Sequence, residues 1–299
     1  MTYASSAPNV RRADEPARPS TSRARRQWTL FARNKGAVLG LIVLTLWAVA
    51  AVIAPHITPY DPLQTVDSAR SAPSAAHWFG TDRLGRDVLS RVIFGARISL
   101  LLGIISVVLG SIVGTFFGLV SGFYGGLTDN IIMRVMDAML AFPGLLLALI
   151  IIATLGPSIQ NVMIAVGFAT IPQYARLTRG SVLSVRESLY VESARVIGGG
   201  NWRIILRHIL PNVAAPLIVL STLQVGNAIL VGAGLSFLGL GAQPPTPEWG
   251  LMTAEGREVL GKAWWISTFP GLAILSVVMA LNLMGDGLRS ALDPRLGEK

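Results

Sequence analysis

Residues 190–211 read YVESARVIGGGNWRIILRHILP, and this stretch indicates how the whole chain is organised. Apolar residues recur at helical spacing on both sides of three successive glycines, Gly198, Gly199 and Gly200. Three glycines in a row cannot sustain a helix interior, and they permit the positive φ angles that a sharp reversal needs. The pattern therefore predicts a short amphipathic helix, a glycine hinge and a second helix that Pro211 ends.

Each of the two predicted helices has an apolar and a charged face. The apolar face of the first comprises Leu189, Val191, Ala194 and Ile197. The apolar face of the second comprises Trp202, Ile205, Leu206 and Ile209, with Arg203 and Arg207 on the opposite face.

The composition of the chain is that of a polytopic membrane protein. Of its 299 residues, 52% are hydrophobic and 14% are charged, and the mean hydropathy is +0.57. Soluble domains carry about 25% charged residues. Six apolar segments are long enough to cross a hydrocarbon core of about 30 Å as helices. The sequence therefore predicts an all-α membrane protein with six transmembrane helices, at residues 36–55, 97–121, 131–155, 159–177, 213–233 and 266–287.

The distribution of Lys and Arg predicts the orientation in the membrane. With the N-terminus in the cytoplasm, 18 of the 25 basic residues fall on the inner side, as the positive-inside rule requires. The formal charge of +9 is then a topology signal rather than a sign of nucleic-acid binding.

The predicted divisions are a disordered cytoplasmic tail at 1–35, a first span with an external segment at 36–96, a transmembrane core at 97–290 that contains a cytoplasmic loop at 178–212, and a cytoplasmic C-terminal tail at 291–299.

Small residues recur every four positions along the second predicted span, at Gly110, Gly114, Gly118 and Gly122. Residues at this spacing lie on one slowly rotating stripe of a helix. Hydrophobicity does not drive helices together within lipid, so close backbone approach at small residues matters there. The stripe therefore predicts a tight helix contact within the core, with a subunit interface as the alternative.

Few polar residues lie inside the predicted spans. A charged residue at mid-bilayer costs at least ~2.5–3.5 kcal/mol, so polar groups at that depth usually face a bundle interior or a wet path. The alternatives are that Asp137 pairs with Arg134, that Asp286 pairs with Arg289, and that the amides only tie helices together. The candidates for a translocation path are Asp137, Asn161, Gln173, Gln224, Asn227, Asn282 and Asp286.

Patterns for catalysis and metal binding are weak. Residues 256–263 read GREVLGKA, which nearly matches a nucleotide-binding loop, but Ala263 stands where a Ser or Thr hydroxyl would hold Mg²⁺. The chain has no cysteine, and its histidines, His56, His77 and His208, are scattered. We therefore predict no catalytic residue, no metal site and no cofactor bound by this chain.

The glycine-hinged loop resembles the EAA loop of ABC transporter permeases at Glu192, Ser193, Ala194, Gly198, Leu210 and Pro211, with Ser193 in place of the usual alanine. Three further stretches are similar to the dipeptide, oligopeptide and nickel branch of that family. They are HWFGTDRLGRDVLSR at 77–91, GLSFLGLGAQPPTPEWG at 234–250 and NLMGDGLRSALDP at 282–294. The four motifs occur in order, and the resemblance covers roughly residues 30–295.

The resemblance implies a type I importer permease core, MetI-like, with an extra N-terminal span in the inner membrane. The EAA residues would form the helix that couples the permease to a cytoplasmic ATPase. The implied partners are a homologous second permease, one or two ABC ATPase subunits that bind ATP and Mg, and an extracytoplasmic solute-binding protein. The implied function is ATP-driven import of di- or oligopeptides or of glutathione-like peptides. A nickel-chelate importer of the same family and a self-contained ion-driven carrier are the alternatives.

Overall fold

The computed structural model describes residues 23–292 of the chain. The regular structure in this range is helical, apart from an isolated antiparallel bridge between Thr81 and Asp87. The helices are α1 Arg23–Arg33, α2 Lys35–Ile57, α3 Val88–Tyr124, α4 Gly126–Leu140, α5 Gly144–Leu155, α6 Ile159–Arg186, α7 Leu189–Val196, α8 Asn201–Ile204, α9 Leu210–Phe237, α10 Trp249–Arg257 and α11 Trp265–Leu292, with a π-helical turn at Ile205–Ile209 between α8 and α9.

Helix α1 occupies part of the segment predicted to be disordered. Its Phe31 is buried and packs with Ala37 of α2 and Ala291 of α11. Asn34 separates α1 from α2, and its Oδ1 accepts a hydrogen bond from the Ala37 backbone N–H at 3.1 Å. The prediction of disorder is therefore wrong for residues 23–33, because Phe31 packs on an apolar surface formed by α2 and α11. Within the predicted tails, Lys35 also begins α2 and residues 291–292 end α11, whereas residues 1–22 and 293–299 lie outside the described residues.

The described residues give four or five membrane spans by length and composition, rather than the six predicted. The four are α2, α3, the run from α8 to α9, and α11; α4 and α5 together would make a fifth, but they meet at 88°. The continuous helix predicted over 131–155 is thus wrong, because Pro143 lacks an N–H donor and disfavours helical geometry in the residue before it. Helix α6 has 28 residues, which is long enough to span, but its C-terminal half is polar.

The glycine stripe of α3 lies against α6. A Cβ added at Gly114 would lie 2.5 Å from the Ile171 carbonyl oxygen, and one added at Gly118 would lie 2.5 Å from the Ala175 carbonyl oxygen. Real Cβ atoms do not approach backbone so closely, and a well-packed helix pair cannot absorb the extra volume without separating. The stripe therefore packs within this chain, and not at its surface.

Helix α10 closes one end of the bundle. Trp249 is fully buried, and its Nε1 donates a hydrogen bond to the Val92 carbonyl oxygen at 2.8 Å. The Glu248 carboxylate caps α10 by accepting hydrogen bonds from the backbone N–H groups of Gly250 at 2.9 Å and Leu251 at 2.8 Å. Burial raises the pKa of the Glu248 carboxyl, and these hydrogen bonds oppose that rise.

The segment between α2 and α3 is held in place by buried charges. Arg86 Nε lies 2.6 Å from Asp82 Oδ2. Arg91, at the start of α3, lies 3.4 Å from the same carboxylate and 3.5 Å from Glu255 of α10. Because Arg91 is fully buried, loss of its acidic partners would leave an uncompensated charge in the interior. This cluster, which was not predicted from the sequence, joins the segment to α3 and α10.

Candidate functional site

The chain reverses between α7 and α8 at Gly198. Its φ is +83°, a region in which L side chains are strained. The Gly199 N–H donates a hydrogen bond to the Ala194 carbonyl oxygen at 3.0 Å, which closes the turn. Gly200 has an ordinary φ of −63° and precedes the first residue of α8. A helix, a glycine hinge and a second helix are therefore present, and Gly198 is the one of the three glycines that has a positive φ.

The second helix does not end at Pro211, in contrast to the prediction. The Leu210 N–H donates to the Ile205 carbonyl oxygen five residues earlier, which is the bonding pattern of a π-helical turn. Pro211 then stands in the first turn of α9, where its missing N–H costs little. One helical path therefore runs from the loop into a membrane span, over Asn201–Phe237.

The buried face of the second helix also differs from the predicted one. Ile204 and Ile205 are buried with side chains of α3 and α6, whereas Trp202 and Leu206 are half exposed or more. The Trp202 ring stacks on Phe116 of α3, with ring centroids 6.3 Å apart. The prediction assumed the α-helical period of 3.6 residues, and a π-helical turn does not follow that period.

Helix α7 and its C-terminal neighbour Ile197 expose large apolar side chains. Leu189, Val196 and Ile197 are 81%, 83% and 86% exposed, and Glu192 is exposed among them. Val191, on the opposite face, is fully buried against the bundle. Beside α7 lies a notch of about 470 Å³, lined in part by Ser193, Ala194 and Gly198. A cluster of large apolar side chains exposed in this way is typical of a protein-binding surface.

Four of the predicted path residues meet at α6. Asp137 of α4 forms an ion pair with Arg176 of α6 at 2.6 Å. Gln224 of α9 hydrogen-bonds to Gln173 of α6 and accepts a hydrogen bond from Asn227 Nδ2 at 3.3 Å. Gln224 is buried, whereas Gln173 and Asn227 are exposed. We refer to these five residues as the polar track, which joins α4, α6 and α9.

The other predicted path residues are placed differently. Asn282 and Asp286 lie on α11. Within residues 23–292, no hydrogen bond or ion pair joins their side chains to the polar track. The predicted ion pair between Asp286 and Arg289 is also not formed among these residues. The Asn161 Nδ2 donates to the Gly156 carbonyl oxygen at 2.9 Å and so fixes the turn between α5 and α6. Asn161 therefore has a local structural role.

A second ion pair lies near the first and was not predicted. Arg179 Nε and Nη2 each lie 2.5 Å from an oxygen of Asp129, so the contact is bidentate. Asp137 pairs with Arg176 and, among the described ion pairs, not with Arg134. In the sequence these arginines indicated only the orientation in the membrane, because nothing local indicates their partners on α4.

The structure gives the surroundings of the sequence features that were considered for nucleotide and metal binding. Residues 256–263 begin at the end of α10 and run into the turns before α11, whereas a nucleotide-binding loop follows a strand. Among residues 23–292, no group of three or more His, Asp or Glu side chains is placed to hold a metal ion.

Comparison with known proteins gives matches over nearly the whole chain. Residues 114–298 match the family described as "Binding-protein-dependent transport system inner membrane component", and residues 22–73 match the "N-terminal TM domain of oligopeptide transport permease C". The dipeptide transport system permease protein DppC of Haemophilus influenzae is 48% identical over 90% of this chain and 94% of its own length. The di/tripeptide permease DppC of Pseudomonas aeruginosa is 48% identical over 95% and 96%. The glutathione transport system permease GsiD of Pectobacterium atrosepticum is 48% identical over 90% of each chain.

The fold is also that of a solved transporter. A chain from the MetNI methionine ABC transporter in inward facing conformations superimposes with a TM-score of 0.55 at 17% identity, and the match covers 68% of this chain and 96% of that chain. The described helices thus form a MetI-type core preceded by an extra N-terminal span, in a multi-pass protein of the inner membrane. On these matches, the chain belongs to the family of inner membrane components of binding-protein-dependent transport systems.

Proposed function

We propose that this chain is one of two permease subunits of an ATP-driven importer for di- or oligopeptides or glutathione-like peptides. The observation that carries the proposal is the exposed apolar face of α7, held on a loop that is packed firmly into the bundle. The relatives named as dipeptide, di/tripeptide and glutathione permeases support the choice of solute.

In this proposal α7 is the helix that a cytoplasmic ATPase grips. The exposed Glu192 contacts or orients the ATPase groove, Ala194 permits close approach and Gly198 makes the turn. Burial of Val191 with side chains of α3, α6 and the π-helical turn fixes α7 to the spans. When ATP binding draws two ATPase subunits together, the coupling loops follow and the spans change from inward-facing to outward-facing. The coupling residues are Glu192, Ser193, Ala194, Gly198, Leu210 and Pro211.

The work for transport comes from separate subunits in this scheme. ATP and Mg²⁺ bind to one or two ATPase chains, while this chain catalyses no reaction and binds no cofactor. A homologous second permease completes the path, and an extracytoplasmic solute-binding protein delivers the peptide. Both termini and α7 lie in the cytoplasm, on the side favoured by the Lys and Arg distribution.

The polar track, with Asn282 and Asp286, lines the translocation path in this proposal. Gln173 and Asn227 offer amide donors and acceptors that match the polar groups of a peptide. Asn227 is the better residue to test, because it is exposed while Gln224 is buried and hydrogen-bonded.

Replacing Asn227 by leucine is expected to lower peptide uptake about three- to tenfold, because one hydrogen bond of ordinary strength to the peptide is lost. Asn227→Gln retains the amide and should restore most of the uptake. Both variants should reach the membrane at wild-type levels, measured by immunoblot. Wild-type uptake by Asn227→Leu would show that the path lies elsewhere.

The proposed assembly is tested by purifying the tagged chain from its native membranes in mild detergent and identifying co-purifying chains by mass spectrometry. Recovery of a homologous permease and an ABC ATPase is expected. Recovery of this chain alone, under conditions that preserve other membrane complexes, would instead favour an ion-driven carrier. A competition assay separates peptide import from nickel import. Unlabelled peptides should inhibit the uptake of labelled dipeptide, whereas nickel chelates should not.

A further inference from the structure

The N-terminal helix is strongly basic. Residues 23–35 contain five basic and no acidic side chains, and no acidic residue occurs between Glu15 and Asp61. Arg33 and Lys35 flank the junction of α1 and α2, and both are exposed. Neither forms an ion pair among the described residues. A concentration of positive charge at the end of a membrane span attracts anionic lipid.

An apolar crevice of about 340 Å³ lies among α1, α2 and α11, and Phe31 in its lining precedes Arg33 by two positions in the sequence. Leu41 of α2 and Met284 of α11 contribute to its walls, and both belong to helices that can span a membrane. The crevice therefore lies where the ends of two spans meet a basic helix. Its other apolar lining residues are Trp28, Phe31, Leu288, Ala291 and Leu292.

The packing of α1 fixes the shape of this crevice. Phe31 is buried against α11, where a Cβ added at Gly287 would lie 3.3 Å from its ring. Trp28 stacks on Phe31 with ring centroids 5.9 Å apart, yet 62% of its surface remains exposed. A tryptophan with one covered face and one open face is suited to the boundary between lipid and water.

We propose that α1 and the crevice bind one anionic phospholipid. Arg33 and Lys35 hold the phosphate group, an acyl chain occupies the crevice, and Trp28 lies at the level of the headgroup. The walls favour a lipid over an acidic peptide, because a peptide at this depth would leave backbone groups without hydrogen bonds. The site does not depend on the identity of the transported solute.

The test is a lipid titration of the full-length chain, purified with its co-purifying subunits and followed by native mass spectrometry. Phosphatidylglycerol and phosphatidylcholine with identical acyl chains are compared. The wild type should bind phosphatidylglycerol more tightly. The double variant Arg33→Gln/Lys35→Gln should weaken that binding about 30-fold, or about fivefold for each charge removed, and should weaken binding of phosphatidylcholine, whose choline cation offsets its phosphate, much less.

A matched control removes two exposed charges elsewhere, in the variant Arg70→Gln/Lys262→Gln, and should bind both lipids as the wild type does. Trp28→Ala should weaken binding of both lipids. Excess inorganic phosphate should not displace phosphatidylglycerol, because the acyl chain contributes to binding.

Equal affinity of the wild type for the two lipids would overturn the proposal, as would wild-type lipid binding by Arg33→Gln/Lys35→Gln. Displacement by inorganic phosphate would reveal a simple anion site instead. A complete lack of phosphatidylglycerol binding would also overturn it and would point to a protein segment, such as residues 1–22, as the occupant of the crevice.

Discussion

Replacing Gly198 by valine is expected to abolish transport while the amount of protein in the membrane stays at the wild-type level. A β-branched residue held at the Gly198 φ of +83° is strained by roughly 1–3 kcal/mol. An added Cβ would meet no atom within 4 Å, so the cost arises from the backbone alone. The strain is relieved if α7 turns away from its native direction. Coupling is then lost, while the core of the bundle is unaffected.

Gly200→Val is the matched control for this substitution. Gly200 also has open space around an added Cβ, but its φ of −63° suits any L residue. Uptake of labelled peptide by cells that express each variant, normalised to membrane protein, should be near wild type for Gly200→Val and at background for Gly198→Val. Normal transport by Gly198→Val, or equal loss in both variants, would rule out the strained turn as the basis of coupling.

Leucine at Gly118 is expected to remove most of the folded protein from the membrane. An added Cβ at Gly118 would lie 2.5 Å from both the Ala175 carbonyl oxygen and the Thr178 Cβ, so α3 and α6 would have to separate. Overpacking of this kind costs about 1–3 kcal/mol, and more where backbone must move. The measurement is the amount of protein in the membrane, together with the Tm of the fraction that can be purified.

Gly180→Leu provides the comparison for that variant. Gly180 lies inside α6, and a Cβ there would meet nothing within 4 Å. Leucine is also a better helix former than glycine by roughly 0.5–1 kcal/mol. The Gly180→Leu protein should therefore be as abundant and at least as stable as the wild type. Equal stability of Gly118→Leu and Gly180→Leu would contradict close packing of α3 on α6.

Local sequence patterns predicted much of this fold, and the errors share a physical cause. Apolar length indicated the helices, and three successive glycines indicated the hinge. Hydropathy over 131–155 concealed the bend at Pro143, since an average over a span ignores one missing donor. Pro211 was read as a helix end, although the π-helical turn before it allows the helix to continue. Phe31 packs on α11 as well as on α2, and the contact with α11 is one that no local pattern contains.

The candidate site shows the same division between local and distant information. The EAA-like loop could be recognised from consecutive residues. The polar track could not, because Asp137 and Arg176 are 39 positions apart and Gln173 and Gln224 are 51 apart. The sequence identified Asp137, Gln173, Gln224 and Asn227 as polar groups in apolar segments, but it did not indicate Arg176 or how these groups pair. The partners of such groups depend on how α4 and α9 pack on α6.

A cysteine cross-link from α7 tests the proposed coupling most directly. The chain has no cysteine, so Ile197→Cys introduces a single thiol on the exposed face of α7. Leu84→Cys, at an exposed position in the segment between α2 and α3, is the control. After treatment of native membranes with a short thiol-to-amine cross-linker, we expect the Ile197→Cys chain to be joined to an ABC ATPase and the Leu84→Cys chain not to be. Failure of Ile197→Cys to capture an ATPase that co-purifies with the chain would contradict a coupling role for α7.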